Sequence, residues 1–114
     1  MPIGLADLDR DELVTLAGRI GALTDADLWA VRIETAAARK QAAHDRWAPI
    51  NRSAVAAASA AMRRLETHGR DDVFVARFAE ARQLGAQAAQ LWSEVVEAQR
   101  RIDRAQARMR REMA

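Results

Sequence analysis

Apolar residues along this chain recur at steps of three and four, and they sort into three stretches. In the first, Leu13, Leu16, Ala17 and Ile20 form one stripe and predict a short helix over about 8–21. Asp7 or Asp9 is placed to cap it, Asp11 and Glu12 suit its first turn, and Gly21 suits its end. Thr24-Asp25-Ala26-Asp27 then reads as a capping box, with the acid at the third position, and opens a second helix over about 25–67. His68-Gly69-Arg70-Asp71 reads as a turn: glycine for a left-handed helix end, aspartate for the next cap. A third helix follows over about 72–113, with Gly85 as its weak position.

The two long stretches match in length around a four-residue turn, which predicts a single all-α domain built as a long antiparallel helical hairpin with a short N-terminal helix. Each arm would span ~65 Å if straight. The seam reads as a heptad in both arms. In the second helix it runs through Trp29, Ile33, Ala36, Lys40, Ala43, Trp47, Ile50, Ala54, Ala57 and Ala61. In the third it runs through Phe74, Phe78, Ala81, Gly85, Ala88, Trp92, Val95, Gln99, Ile102, Gln106, Met109 and Met113. Folding at Gly69 sets Trp47 near Trp92 and Trp29 near Met109. Pro49 interrupts the second helix: it removes a backbone donor at a cost of ~3 kcal/mol in a straight helix, so a kink or a short break is expected there.

Composition narrows the chemistry. Among 114 residues there are 27 Ala, 17 Arg, one Lys and no Cys. Disulfides, thiolate metal sites and cysteine nucleophiles are therefore excluded. No apolar run approaches the ~20 residues of a membrane span, and no basic segment followed by an apolar one opens the sequence, so a cytoplasmic protein without a membrane partner is expected. The Ala-rich seam buries little area per residue, which points to a partner or to self-association for added stability.

Catalytic signatures are missing from the pattern. Ser53, Ser59 and Ser93 lie inside helical stretches, and His44 and His68 lack partners at metal-ligand spacing. No Gly-rich phosphate loop is present. Neither an enzyme nor a cofactor is expected.

Charge is segregated: residues 1–34 carry a net −4 and residues 98–114 a net +4, within an overall +2. Either the two ends neutralise each other or the basic end meets an anionic partner. Arg32, Arg39 and Arg46 recur every seven residues on the second helix, and Arg101, Arg104, Arg108 and Arg111 at three and four on the third. The hairpin brings 101–111 beside 28–38, so both rows gather at one end. Planar, permanently charged guanidinium rows of this kind suit a nucleic-acid backbone, and these seven are the candidate contact residues.

Small size, all-helical build, Ala/Arg richness and basic helix faces together resemble the small helical subunits of multi-subunit CRISPR effector complexes. That resemblance implies a non-catalytic ribonucleoprotein subunit of an antiviral system, stacked along a guide-bearing backbone beside other protein subunits. Arg32, Arg39, Arg101, Arg104 and Arg108 would be its contacts by position. Phage small-terminase oligomerisation domains look similar. The alternative is a homo-oligomeric coiled-coil interaction module without nucleic acid; its secreted Trp-x-Gly hairpin variant is disfavoured because no such tripeptide occupies the turn.

Overall fold

A computed structural model describes residues 2–19 and 24–114. Ile20 and Gly21 lie outside them; the first helix ends before the expected 21, at Ala17, with Gly18 as its C-cap. A 3-10 turn at Leu5–Asp7 precedes α1 (Arg10–Ala17), α2 (Asp25–His68) and α3 (Asp72–Met113), and no strand occurs among the described residues. The two long helices pack against each other as a helical hairpin. No described helix is long and apolar enough to cross a membrane.

Each helix end is held by the residues its sequence offers. Of the two N-terminal candidates Asp9 caps α1, while Asp7 ends the preceding 3-10 turn and accepts from the Gly4 N–H at 2.8 Å. Asp9 accepts from the Glu12 N–H while Glu12 accepts from the Asp9 N–H, both at 3.0 Å. Thr24 and Asp27 close the box that starts α2: the Asp27 N–H donates to Thr24 Oγ1 at 3.2 Å and the Thr24 N–H to Asp27 Oδ2 at 3.0 Å. Gly69 takes φ +70°, a left-handed conformation open to glycine, and its N–H donates to the Leu65 carbonyl at 2.9 Å. Asp71 caps α3 through the Phe74 N–H at 2.9 Å. The Arg64 guanidinium grips the same carboxylate from Nε and Nη2, at 2.9 and 2.6 Å. These bonds hold the Asp71 carboxyl down at about 2.

Two expectations are refined. Of the kink or short break expected at Pro49, the break is excluded, since α2 is continuous across it. Pro49 lies on the exposed side of α2, where its ring and its missing backbone donor disturb no buried packing. The stripe on α1 also turns. It buries Glu12 and Leu16, whereas Leu13 and Ala17 face solvent, because Glu12 reaches an arginine of α2.

The chain divides into two compact units. The first joins Met1–Gln41 to Val96–Ala114. Its core gathers Ile3, Leu8, Leu16, Leu28, Trp29, Val31 and Ala105, with Ile33 and Met109 packed on it, so Trp29 and Met109 do share one cluster. Here α2 is buried beyond its heptad seam: Leu28, Val31 and Thr35 are covered as well as Trp29 and Ala36. The second unit, Ala42–Val95, is a plain two-helix layer. It buries Ala43 and Ala61 from α2 against Phe74, Ala88 and Val95 from α3. Trp47 and Trp92 meet at 4.7 Å between ring centroids, as the matched seams predict.

Candidate functional site

In the unit formed by 1–41 and 96–114, a groove of about 320 Å³ is walled by Arg32 and Arg39 of α2 and by Arg101, Arg104 and Arg108 of α3. Helical spacing explains the convergence. Steps of seven on α2 and of three and four on α3 keep each row on one face, and the antiparallel pairing sets the rows side by side. Trp29, Ala36 and Ala105 form its apolar floor, and Asp9 and Glu12 are its acidic wall residues.

The five guanidinium groups fall into two classes. Those of α2 are tied to the acidic N-terminal segment. Arg32 Nε donates to Glu12 Oε2 at 3.0 Å, and the same arginine also donates to the Asp7 carbonyl. The Glu12 side chain is only 6 % exposed, so this pair is buried on its acidic side. Arg39 Nη2 bridges Asp9 Oδ2 at 2.7 Å and Asp11 Oδ2 at 3.1 Å. The hydrogen bond that Arg39 donates to Asp9 raises the Arg39 pKa above its ordinary value. Burial alone would raise the Asp9 carboxyl, but the Glu12 N–H and the Arg39 guanidinium outweigh it and hold that carboxyl below its usual range. Arg19 adds a third link to this network, reaching Glu34 at 2.7 Å and Asp27 at 3.7 Å.

The arginines of α3 are held by neighbours on their own helix. Arg104 reaches Glu97 at 3.2 Å, Arg101 the same carboxylate at 3.7 Å, and Arg108 meets Glu112 at 3.3 Å. Side-chain exposures of 44–64 % keep these three in solvent. Arg108 also lies over the Trp29 ring, 5.2 Å from its centroid, while the indole Nε1–H donates to Glu112 at 3.2 Å. Exposed pairs of this kind contribute ~0–1 kcal/mol each and exchange readily for another anion, whereas breaking a buried pair costs ~3–5 kcal/mol.

Two sequence candidates lie elsewhere. Arg46, third in the α2 row, belongs to the 42–95 unit and pairs with Glu94 at 2.9 Å. Arg111 is exposed near the end of α3 and is not a groove wall. The residues that sequence reading missed are the acidic wall, Asp9 and Glu12. Their signal was the charge segregation, which allowed neutralisation without naming partners. The histidines have local roles: His44 packs on Trp47 at 5.3 Å, and His68 Nδ1 lies 2.7 Å from Thr67 Oγ1. Among the described residues no three of His, Asp and Glu gather as a metal ion would require.

The arrangement offers cation donors for an elongated anion along the α3 wall, over a rigid backing formed by the α2 pairs. Comparison with protein-family models, with curated proteins and with solved structures found no match to this chain.

Proposed function

We propose that the chain is a non-catalytic helical subunit of a larger cytoplasmic assembly that presents its α3 arginine wall to a nucleic-acid backbone. The observation that carries this reading is the convergence of five arginines from two helices on one groove, three of them exposed and paired with carboxylates of α3. Arg101, Arg104 and Arg108 contact phosphates. Arg32 and Arg39 keep the acidic N-terminal segment in place behind them. Phosphate competes well for Arg101 and Arg104, whose present partner is the exposed Glu97 carboxylate on the same helix. Recognition is of the backbone and not of sequence, since Trp29, the aromatic residue of the groove, is wholly buried. The small helical subunits of CRISPR effector complexes, which the chain resembles in size and composition, exemplify such a setting.

Salt titration tests this. Each phosphate contact adds about 0.7–0.9 to the slope of log affinity against log salt. Replacing Arg101, Arg104 and Arg108 together by Ala lowers that slope by about two for single-stranded RNA and duplex DNA alike, with helicity kept. The control triple is Gln83, Gln87 and Gln90 to Ala. Equal losses from both triples, or no binding by the unaltered chain at low salt, refute the reading. A homo-oligomeric interaction module would remain, which the exposed apolar side chains Val55, Phe78 and Trp92 favour.

A further inference from the structure

Within the 42–95 unit, the two helices have two distinguishable sides. One carries a cleft lined by Ala57 and Ala60 of α2 and by Arg77, Glu80 and Leu84 of α3. Ala57, Arg77 and Leu84 stand four residues before the seam positions Ala61, Ala81 and Ala88, of which Ala61 and Ala88 are buried and Ala81 half-buried. In antiparallel right-handed helices, rows displaced in the same chain sense from the seam share a side. The rows four and eight residues after the seam therefore share the opposite side. They hold Val55 and Met62 of α2 and Phe78, Gly85 and Trp92 of α3, and the four larger side chains are 44–58 % exposed. Asn51, Ala58, Leu65 and Ala89 fill the gaps, and Arg82 is the only charged residue in these rows between 48 and 92. A two-helix layer with an apolar side of this composition lacks the second layer that a helical core is built from.

We propose that a second copy of this chain covers that side, packed face to face about a two-fold axis crossing α2 at Val55 and α3 at Gly85. Symmetry in the spacing argues for a second copy over another partner. An isologous contact requires a surface that maps onto itself under a half-turn. The Trp47–Trp92 contact sets the levels of the two arms, and counting seven residues inward from it puts Gly85 level with residue 54, beside Val55. Phe78 and Trp92 each stand seven residues from Gly85. Met62 and Ala48, the latter adjoining Trp47, each stand seven from Val55. A half-turn about that level lays Phe78 of each copy on Trp92 of the other and Met62 on the Ala48–Trp47 edge. A Cβ built at Gly85 would meet nothing within 4 Å, so the two α3 helices can approach closely at the axis.

The size fits too. About 24 residues of each helix, at ~1.5 Å rise and ~10 Å width per helix, present ~700 Å² per copy, near the ~800 Å² of a standard stable interface. These residues are distinct from the groove arginines, so the two proposals stand or fall separately.

Sedimentation velocity on the full chain reads the outcome. The chain runs at twice its monomer mass in the micromolar range, and Val55→Glu, which sets two carboxylates against each other at the axis, weakens the dimer at least about a hundredfold. Val55 is more than half exposed, so the variant keeps its circular dichroism. Because the sequence has no cysteine, Val55→Cys supplies the only thiol. In air it forms an intermolecular disulfide, since a residue on a two-fold axis faces its own copy within the ~4 Å Cβ separation a disulfide needs. Ala56→Cys, turned to the other side, does not. A monomer at all concentrations, a dimer indifferent to Val55→Glu, or equal crosslinking at both positions would overturn the proposal.

Discussion

In the unit formed by 1–41 and 96–114, Trp29 and Val31 are fully buried and the α2 stretch is covered on more than its seam. In the 42–95 unit the same helix buries only Ala43 and Ala61, and Val55 and Met62 stand in solvent. Both stretches obey one heptad, so the periodicity does not set the difference. The short N-terminal segment does: Ile3, Leu8 and Leu16 join the core cluster of the first unit, and among the described residues the second unit has no counterpart. A two-helix seam becomes a core when a third element covers it, and remains a layer otherwise.

Tryptophan truncation should separate the units most. Trp29→Ala removes a wholly buried indole and its bond to Glu112, and is expected to cost ~3–5 kcal/mol, read as a fall in Tm of well over ten degrees. Trp92→Ala, measured at high dilution, should cost ~1 kcal/mol, the value of a half-exposed ring stack. Similar costs would mean that the two units are equally well packed and would end the distinction.

The ion pairs should follow the same order. Glu12→Ala strands Arg32 against the groove and should cost ~3 kcal/mol in denaturant unfolding. Arg46→Ala, whose pair with Glu94 is exposed on both sides, should cost under ~0.5 kcal/mol. A smaller effect of opposite sign is expected at Thr35. Its hydroxyl is buried without a hydrogen-bond partner, so Thr35→Val should stabilise the chain by ~1 kcal/mol. No gain would mean that a water molecule satisfies that hydroxyl.

Acid should weaken both units. Asp71 is held down at about 2, against 3.8 for the unconstrained group, first by Arg64 and then by the Phe74 N–H. Asp27 is lowered by its bonds from Thr24, and Asp9 by Glu12 and Arg39 against the effect of burial. A carboxyl lowered in the folded state contributes stability that is complete above its unfolded pKa and is lost as pH falls through its folded one. Tm should therefore decline between pH 4 and 2, and Asp71→Asn should flatten that decline. An unchanged acid limb would show that the turn adds nothing to stability.

What could be read from the sequence was local or periodic. Thr24 with Asp27, and Gly69 with Asp71, each declare their bonds within four residues. The row Phe74, Ala81, Ala88, Val95 declares itself by spacing. The second buried face of α2, at Leu28, Val31 and Thr35, did not, because the residues in its core cluster include Ile3 and Leu8, in a segment too short to show a period. Phe78 and Trp92 kept the heptad yet remain half exposed, since apolar spacing cannot say whether a neighbour is present. In the site, the gathering of Arg32, Arg39, Arg101, Arg104 and Arg108 followed from spacing. Which of them are already engaged did not, because that depends on where Asp9, Asp11 and Glu12 return.

The Gly69 turn also bears on the order in which the chain organises itself. Arg64 and Asp71 are seven residues apart, whereas Trp29 and Glu112 are 83 apart. Closing the longer loop from the unfolded chain costs ~2 kcal/mol more in entropy than closing the shorter one. The favourable route therefore starts at the turn and zips outward along both arms. The thinner layer forms early and the richer core last. Ala61→Gly should then slow folding, while Trp29→Ala should chiefly speed unfolding, and the reverse pattern in stopped-flow kinetics would refute this order. On a ribosome the consequence is a waiting time: Trp29 emerges early and stays uncovered until the Ala105–Met109 stretch has been made.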